Sequence, residues 1–509
     1  MPVRHTTLAL AFAARPRPAA QVLFYGHLLG VNAPIGGALF LVLAWRLRQR
    51  SIDPRDAWIP LAAFAFAALL AVRTEPAVVV FDAIAAVGLC LASATALGAP
   101  ITRIPVAVLI GRALGAGLAS ATGAWRLIRL ERSRPEHLGR LDRLGPYAVG
   151  IALAAPLLGV FAILFSSADE VFAHAMREAF GPDALREIPG RLTLAAIVAW
   201  TTAGALTLLW REVPSAGELP RPLRRETATV LLVAVDLVFA LFVAIQITYL
   251  FGGSDTVRAA GITYSAYARR GFFELVAAAV IVAVLLFGTD LLVEHGRRLH
   301  LGPAIVLVAL TGVILVSAFY RMDLYQRAYG WSELRFHAIA AIAFLALTLV
   351  LLAWALLAGR MAHAVQPIAV AAVLVAVSVN LIGPSAFVAR ANVSRVLDPS
   401  SVPDNAERPL DVLYLYRLGD AAVPILVDAL PSLPERERRC LDALLRWQLS
   451  VRRDLGDGQD WRSWSYDRAR AADALRSLAA GIPVSGRDDH IGDARRLRQL
   501  GSALQGCRG

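Results

Sequence analysis

Long apolar stretches separated by polar connections follow one another from residue 26 to residue 387, and the pattern then changes to short amphipathic segments. Ten stretches approach or exceed a bilayer crossing: 26–45, 57–72, 76–98, 146–166, 191–210, 227–251, 271–293, 303–320, 336–358 and 365–387. A hydrocarbon core roughly 30 Å thick, crossed at about 1.5 Å per residue, takes about 20 apolar residues. The run 104–128 is apolar as well, but Arg112 and Arg126 interrupt it and Gly111, Gly115, Gly117 and Gly123 loosen it. It is read as an interfacial or re-entrant helix. Residues 1–25 form an N-terminal tail, because the apolar segment Thr7–Ala14 is followed at once by Arg15 and Arg17, which does not suit a signal peptide. The pattern predicts an all-α fold: a polytopic transmembrane helix bundle of about ten spans over 26–390, followed by a small α-helical soluble domain over 391–509.

Within that tail, Asp411–Leu430 reads as a helix, a stop at Gly419 and a second helix with Pro424 in its first turn, a HEAT-like pair. One such pair cannot bury its apolar face alone. Further helices are predicted over 434–451, where Leu441, Leu444, Leu445 and Leu449 recur at helical spacing, and over 466–480. These helices or the membrane bundle must supply the cover.

Composition agrees with the pattern: 57% of the 509 residues are hydrophobic, and mean hydropathy is +0.58. The net charge of +12 comes from arginine alone, since no lysine occurs. These arginines are scattered over loops, which points to topology and anionic lipid rather than to nucleic acid. The connections 46–56, 99–145, 211–226, 294–302 and 359–364 hold more arginine than the alternate set of connections. The positive-inside rule puts the first set in the cytoplasm and both termini outside. Of the three cysteines, Cys90 lies in an apolar span as inert packing. Cys440 and Cys507 are able to pair only if the tail faces an oxidising compartment.

The polar segments richest in chemistry fall on one side of this topology. They are Ser166–Phe172, Tyr264–Glu274, Tyr320–Arg335 and Ala389–Arg395. The stretches FVAIQITYLFGG (Phe242–Gly253), TYSAYARRGFFELV (Thr263–Val276), YRMDLYQRAYGWSELR (Tyr320–Arg335) and ARANVSR (Ala389–Arg395) resemble a family of bacterial polytopic membrane proteins, domain of unknown function 4173, related to 4153. The resemblance runs in order from about residue 146 to 430. It implies a multi-pass protein of the bacterial cytoplasmic (inner) membrane and brings no established activity, substrate or catalytic residue.

Two of these segments carry a candidate anion-binding constellation: Tyr267, Arg269, Arg270 and Glu274, with Arg321, Tyr325 and Arg335. Arg270 and Glu274 share a helix face, as do Arg321, Tyr325 and Tyr329, while Asp323 and Arg327 pair on another. Guanidinium groups held by carboxylates, beside tyrosine hydroxyls, suit phosphate or carboxylate. Ion-paired interfacial anchors would have the same composition. Asp236, in the middle of an apolar span, is the candidate intramembrane coupling group, with Gln246 ten residues on. Interhelical hydrogen bonding is the structural alternative for Asp236 and for Asn380. Asp169 and Glu170 are adjacent, so they share no helix face and form no obvious acid/base pair.

No Walker loop, dinucleotide fingerprint, HExxH or paired CxxC occurs, and the nine histidines are dispersed, so no cofactor or metal site is expected. Three functions follow as expectations. The first is binding or transport of an anionic envelope metabolite or lipid headgroup. The second is a signalling or scaffold component whose C-terminal domain docks a protein partner. The third is a membrane-embedded enzyme acting on a lipid-linked phosphate.

Overall fold

In the computed structural model, residues 22–24, 27–47, 52–98, 225–251, 272–292, 301–398, 410–455 and 460–478 are described. They are mostly helical, with no strand among them. The expected helix at 104–128 and the spans at 146–166 and 191–210 lie outside the described residues.

Thirteen α-helices are present among the described residues. Those of the apolar region are α1 (Asn32–Leu47), α2 (Trp58–Leu69), α3 (Pro76–Gly98), α4 (Arg225–Phe251), α5 (Phe272–Leu292), α6 (Leu301–Tyr329), α7 (Glu333–Ala358) and α8 (Val365–Ile382). After them come α9 (Pro384–Leu397), α10 (Val412–Arg417), α11 (Val423–Ala429), α12 (Glu435–Leu455) and α13 (Tyr466–Ser477). Among the described residues, five helices are long and apolar enough to cross a membrane: α3, α4, α6, α7 and α8. Their outward faces carry Ile84, Leu237, Val316, Val350 and Leu374 in exposed positions. Such an apolar exterior suits lipid, not water.

Several element ends differ from the periodicity. Helix α2 stops at Leu69, so its 12 residues fall short of a full crossing. Helix α6 continues past the apolar boundary at 320 to Tyr329, since polar residues at helical spacing sustain it. Helix α8 ends at Ile382 rather than 387, because Gly383 adopts φ +71° and Pro384 opens α9.

Packing divides the apolar helices into α1–α3 and α4–α8, which meet where Phe66, Ala67 and Ala86 lie against Val373, Ala376 and Val377 of α8. The larger group closes on Leu232, Leu286, Leu307 and Leu352, with Ala304 and Ala355 admitting close approach. Helices α9–α13 share one apolar core with the bundle: Leu415, Leu426, Leu441, Leu444, Leu445 and Leu475 are buried together with Phe336 of α7 and Val388 of α9. Full burial of each leucine is worth about 1.5–3 kcal/mol. The helical pair is therefore covered from both sides, by α12 and α13 and by the end of the bundle.

The tail is also fastened by backbone. Val31 donates to Trp464 O at 3.0 Å, and Tyr466 and Asp467 donate to Ala71 O and Val72 O at 2.9 and 3.0 Å. Arg462 holds Asp460, keeping that carboxyl well below the usual range, and donates to Val22 O at 2.7 Å. Cys90 is free and Cys440 is disulfide-bonded. Pairing of Cys440 with Cys507 lies outside the described residues.

Candidate functional site

At the end of the bundle where α6 turns into α7, a pocket of about 260 Å³ opens between that turn, α9 and the start of α10. Gly330 makes the turn possible with φ +76°, and a side chain there would meet Asn392 Oδ1 at 2.6 Å. Asn392 closes a two-bond clamp on Trp331: its Oδ1 accepts from Trp331 N and its Nδ2 donates to Trp331 O, both at 2.8 Å. Ser332 caps α7, its Oγ accepting from Arg335 N at 3.3 Å.

Two half-buried arginines line the pocket, Arg335 from α7 and Arg395 from α9. Arg335 stacks on the ring of Tyr325 at 4.1 Å from its centroid and donates to Tyr329 O and Gly330 O. Arg395 donates to Arg327 O at 2.8 Å and to Gln326 O at 3.4 Å. Both therefore cover terminal carbonyls of α6, where a cation complements the helix dipole. Burial lowers the Arg395 pKa, and the nearby charge of Arg335 lowers it further. Tyr414 adds a hydroxyl whose oxygen already accepts Glu333 N–H at 2.9 Å, leaving its own proton for another acceptor. Burial raises the Tyr414 pKa, so the hydroxyl stays protonated. Asp411 stands on the rim and caps α10 by accepting from Tyr414 N at 2.9 Å.

The anticipated residues divide accordingly. Arg335 lines the pocket and Tyr325 supports it, whereas Arg321 lies farther back on α6 and is not among the lining residues. Asp323 pairs with Arg327 at 2.7 Å on the neighbouring face. Tyr267, Arg269, Arg270, Asp169 and Glu170 lie outside the described residues. Glu274 and Gln246 fall within α5 and α4, but their side chains lie outside the description. Asp236 is buried on the stripe of α4 that also carries Leu232 and Val243, and its Oδ1 has no hydrogen-bond partner. Arg395 was present in the ARANVSR stretch, but only the fold brings it against Arg335.

A second polar centre, which sequence reasoning did not anticipate, lies beside the pocket. Ser385 donates its Oγ–H to Glu333 and its N–H to Glu75 Oε1 at 2.9 Å. Arg73 donates to Asn380 O at 2.7 Å and to Asp467 Oδ1 at 3.3 Å, and Asn380 Nδ2 donates to Asp82 Oδ1 at 2.9 Å. The available signal was the one applied to Asp236: a carboxylate, Asp82, inside an apolar run, with two more charges in the short connection before it.

Apolar-surfaced spans with buried charge at one end give the chain the character of an integral membrane protein. The profile described as Domain of unknown function (DUF4153) matches residues 61–429, and the chain belongs to that family. The finding falls on the relative, 4153, of the two families named from the motifs. No curated protein and no solved structure matches the chain significantly.

Proposed function

We propose that this membrane protein binds an anionic group, a phosphate or carboxylate carried by a lipid headgroup or a small metabolite, in the pocket between α7, α9 and α10. The observation that supports this reading is the convergence of Arg335 and Arg395 on one half-buried pocket with the Tyr414 hydroxyl. Two like charges held that close repel each other, and an anion between them relieves the repulsion while accepting charge-assisted hydrogen bonds. The scaffold reading has less support, because the apolar faces of α10–α13 are already used within the protein's own core. In a transport cycle, Asp236 and Gln246 would serve as intramembrane coupling groups.

The test is retention of anionic lipid by the purified full-length protein, read by native mass spectrometry against a zwitterionic lipid, with inorganic phosphate as competitor. Each charged hydrogen-bonding arginine is worth about 1.5–3 kcal/mol, so Arg335→Gln and Arg395→Gln should each weaken binding roughly tenfold or more. Displacement by phosphate would indicate a free anion as the natural occupant, and resistance to it a headgroup. Retention by the double variant equal to that of the unaltered protein would overturn the assignment.

The pocket-bearing face is assigned to the extracytoplasmic side of a cytoplasmic membrane. Support comes from the arginine distribution and from the disulfide at Cys440, which suits an oxidising compartment. A periplasm-dependent reporter fused after Gly509 should be active. Activity of a cytoplasm-dependent reporter at that position instead would reverse the orientation.

A further inference from the structure

We propose that the junction of α3, α8, α9 and α13 is a proton-binding site, with Glu75 the group that takes up the proton from the face on which the C-terminal unit sits. Glu75, Asp82, Asn380 and Asp467 are each at least nine-tenths buried, at 2%, 0%, 1% and 5% exposure. Each has one side-chain oxygen without a hydrogen-bond partner: Glu75 Oε2, Asp82 Oδ2, Asn380 Oδ1 and Asp467 Oδ2. The donors beside them are already engaged. Arg73 serves Asn380 O, Leu381 O and Asp467, Ser385 serves Glu75 and Glu333, and Asn380 Nδ2 serves Asp82 and Ala376 O. Among the described residues the junction holds more acceptors than donors: three carboxylates, Glu75, Asp82 and Asp467, share the guanidinium of Arg73, and Glu333 shares Ser385 with Glu75.

A metal cation or a proton would each supply a partner. Among the described residues no three acid, histidine or cysteine side chains converge as a metal site would require. A proton needs no such convergence. It turns one orphan acceptor into a donor and removes one of the surplus charges, at a site where an unpaired buried carboxylate is costly. Glu75 is the best placed of the four, standing at the mouth of α3 and outside the apolar span. The groups acting on it are Arg73 from its own connection, Asp467 from α13 and Ser385 from α9, with Glu333 reached through Ser385 and Asp82 two turns along α3. Asp420 bears in turn on Asp467. Burial, the largest influence, raises the Glu75 pKa to about 7, in keeping with this geometry. The inference does not depend on what occupies the arginine pocket.

The experiment is infrared difference spectroscopy on the full-length protein in lipid nanodiscs, comparing about pH 8 with about pH 6. A buried carboxylic-acid carbonyl band belonging to glutamate should appear on acidification. It should shift in heavy water, shift again with carbon-13-labelled glutamate, and be lost from Glu75→Gln. The labelling arm uses the unaltered protein and carries the test should the variant fail to fold. Absence of the band, its indifference to labelled glutamate, or its survival in a folded Glu75→Gln protein would each overturn the proposal.

Discussion

Replacing Arg73 with methionine is expected to loosen the C-terminal helices from the bundle and to destabilise the folded protein by roughly 3–5 kcal/mol, the usual cost of removing one partner of a buried ion pair. One guanidinium joins three elements. Its Nε and Nη2 serve Asn380 O and its Nη2 also reaches Leu381 O, carbonyls at the C-terminal end of α8 that have no intrahelical donor. Its Nη1 reaches Asp467 of α13 at 3.3 Å. Methionine approximates the stem but leaves Asp467 buried without a cation and the α8 carbonyls uncovered. Arg73→Lys should lie in between, because it keeps the charge and loses the planar fork. Thermal unfolding of the full-length protein, with protease sensitivity of the tail at a temperature well below the transition, measures both effects. A methionine variant with unaltered melting temperature and unaltered protection would mean that the apolar core alone holds the two parts together.

Stability should fall as pH rises from about 4.5 to about 7, the reverse of the behaviour of a carboxylate that is salt-bridged when folded. Burial raises the Glu75 pKa from 4.5 to about 7. Between those values the folded protein holds a proton that the unfolded chain has released. The native state therefore binds more protons, and stability declines with pH across that interval before levelling off above it. The full loss is on the order of 3 kcal/mol for Glu75. Asp467, whose pKa burial also raises, acts in the same direction. Glu75→Gln, which keeps an oxygen for Ser385 N–H, should flatten most of the slope. Unfolding midpoints at a series of pH values in one detergent are the readout. Stability that rises with pH over the same interval would show that the arginine contact, not burial, governs Glu75.

Much of the secondary structure was legible in the chain. The run 76–98 becomes α3 with the same boundaries, because twenty-odd apolar residues after a helix-opening proline leave few alternatives. Gly419 stops α10 with φ +78°, and Leu441, Leu444, Leu445 and Leu449 are buried as their spacing requires. Asp323 with Arg327, and Asn380 as an interhelical hydrogen-bonder, were also readable, since local spacing or burial in an apolar run limits what such groups do. The end of α8 was not, because periodicity continues through Gly383 and only the backbone conformation shows the break.

The site residues divide along the same line. Tyr325 and Arg335 belong to one short polar segment and could be named from it, but Arg395 joins them from 60 residues away. Arg73 and Asp467 stand 394 positions apart, and no periodicity links them. The sequence alone determined what a one-dimensional pattern is able to hold: apolar helices of spanning length, a helical tail, and charge at the ends of spans. Those follow from the thickness of a bilayer and the rise of a helix. The tertiary structure alone decided which charges meet, because buried guanidinium and carboxyl groups are stabilised by partners brought near through packing, whatever their separation along the chain.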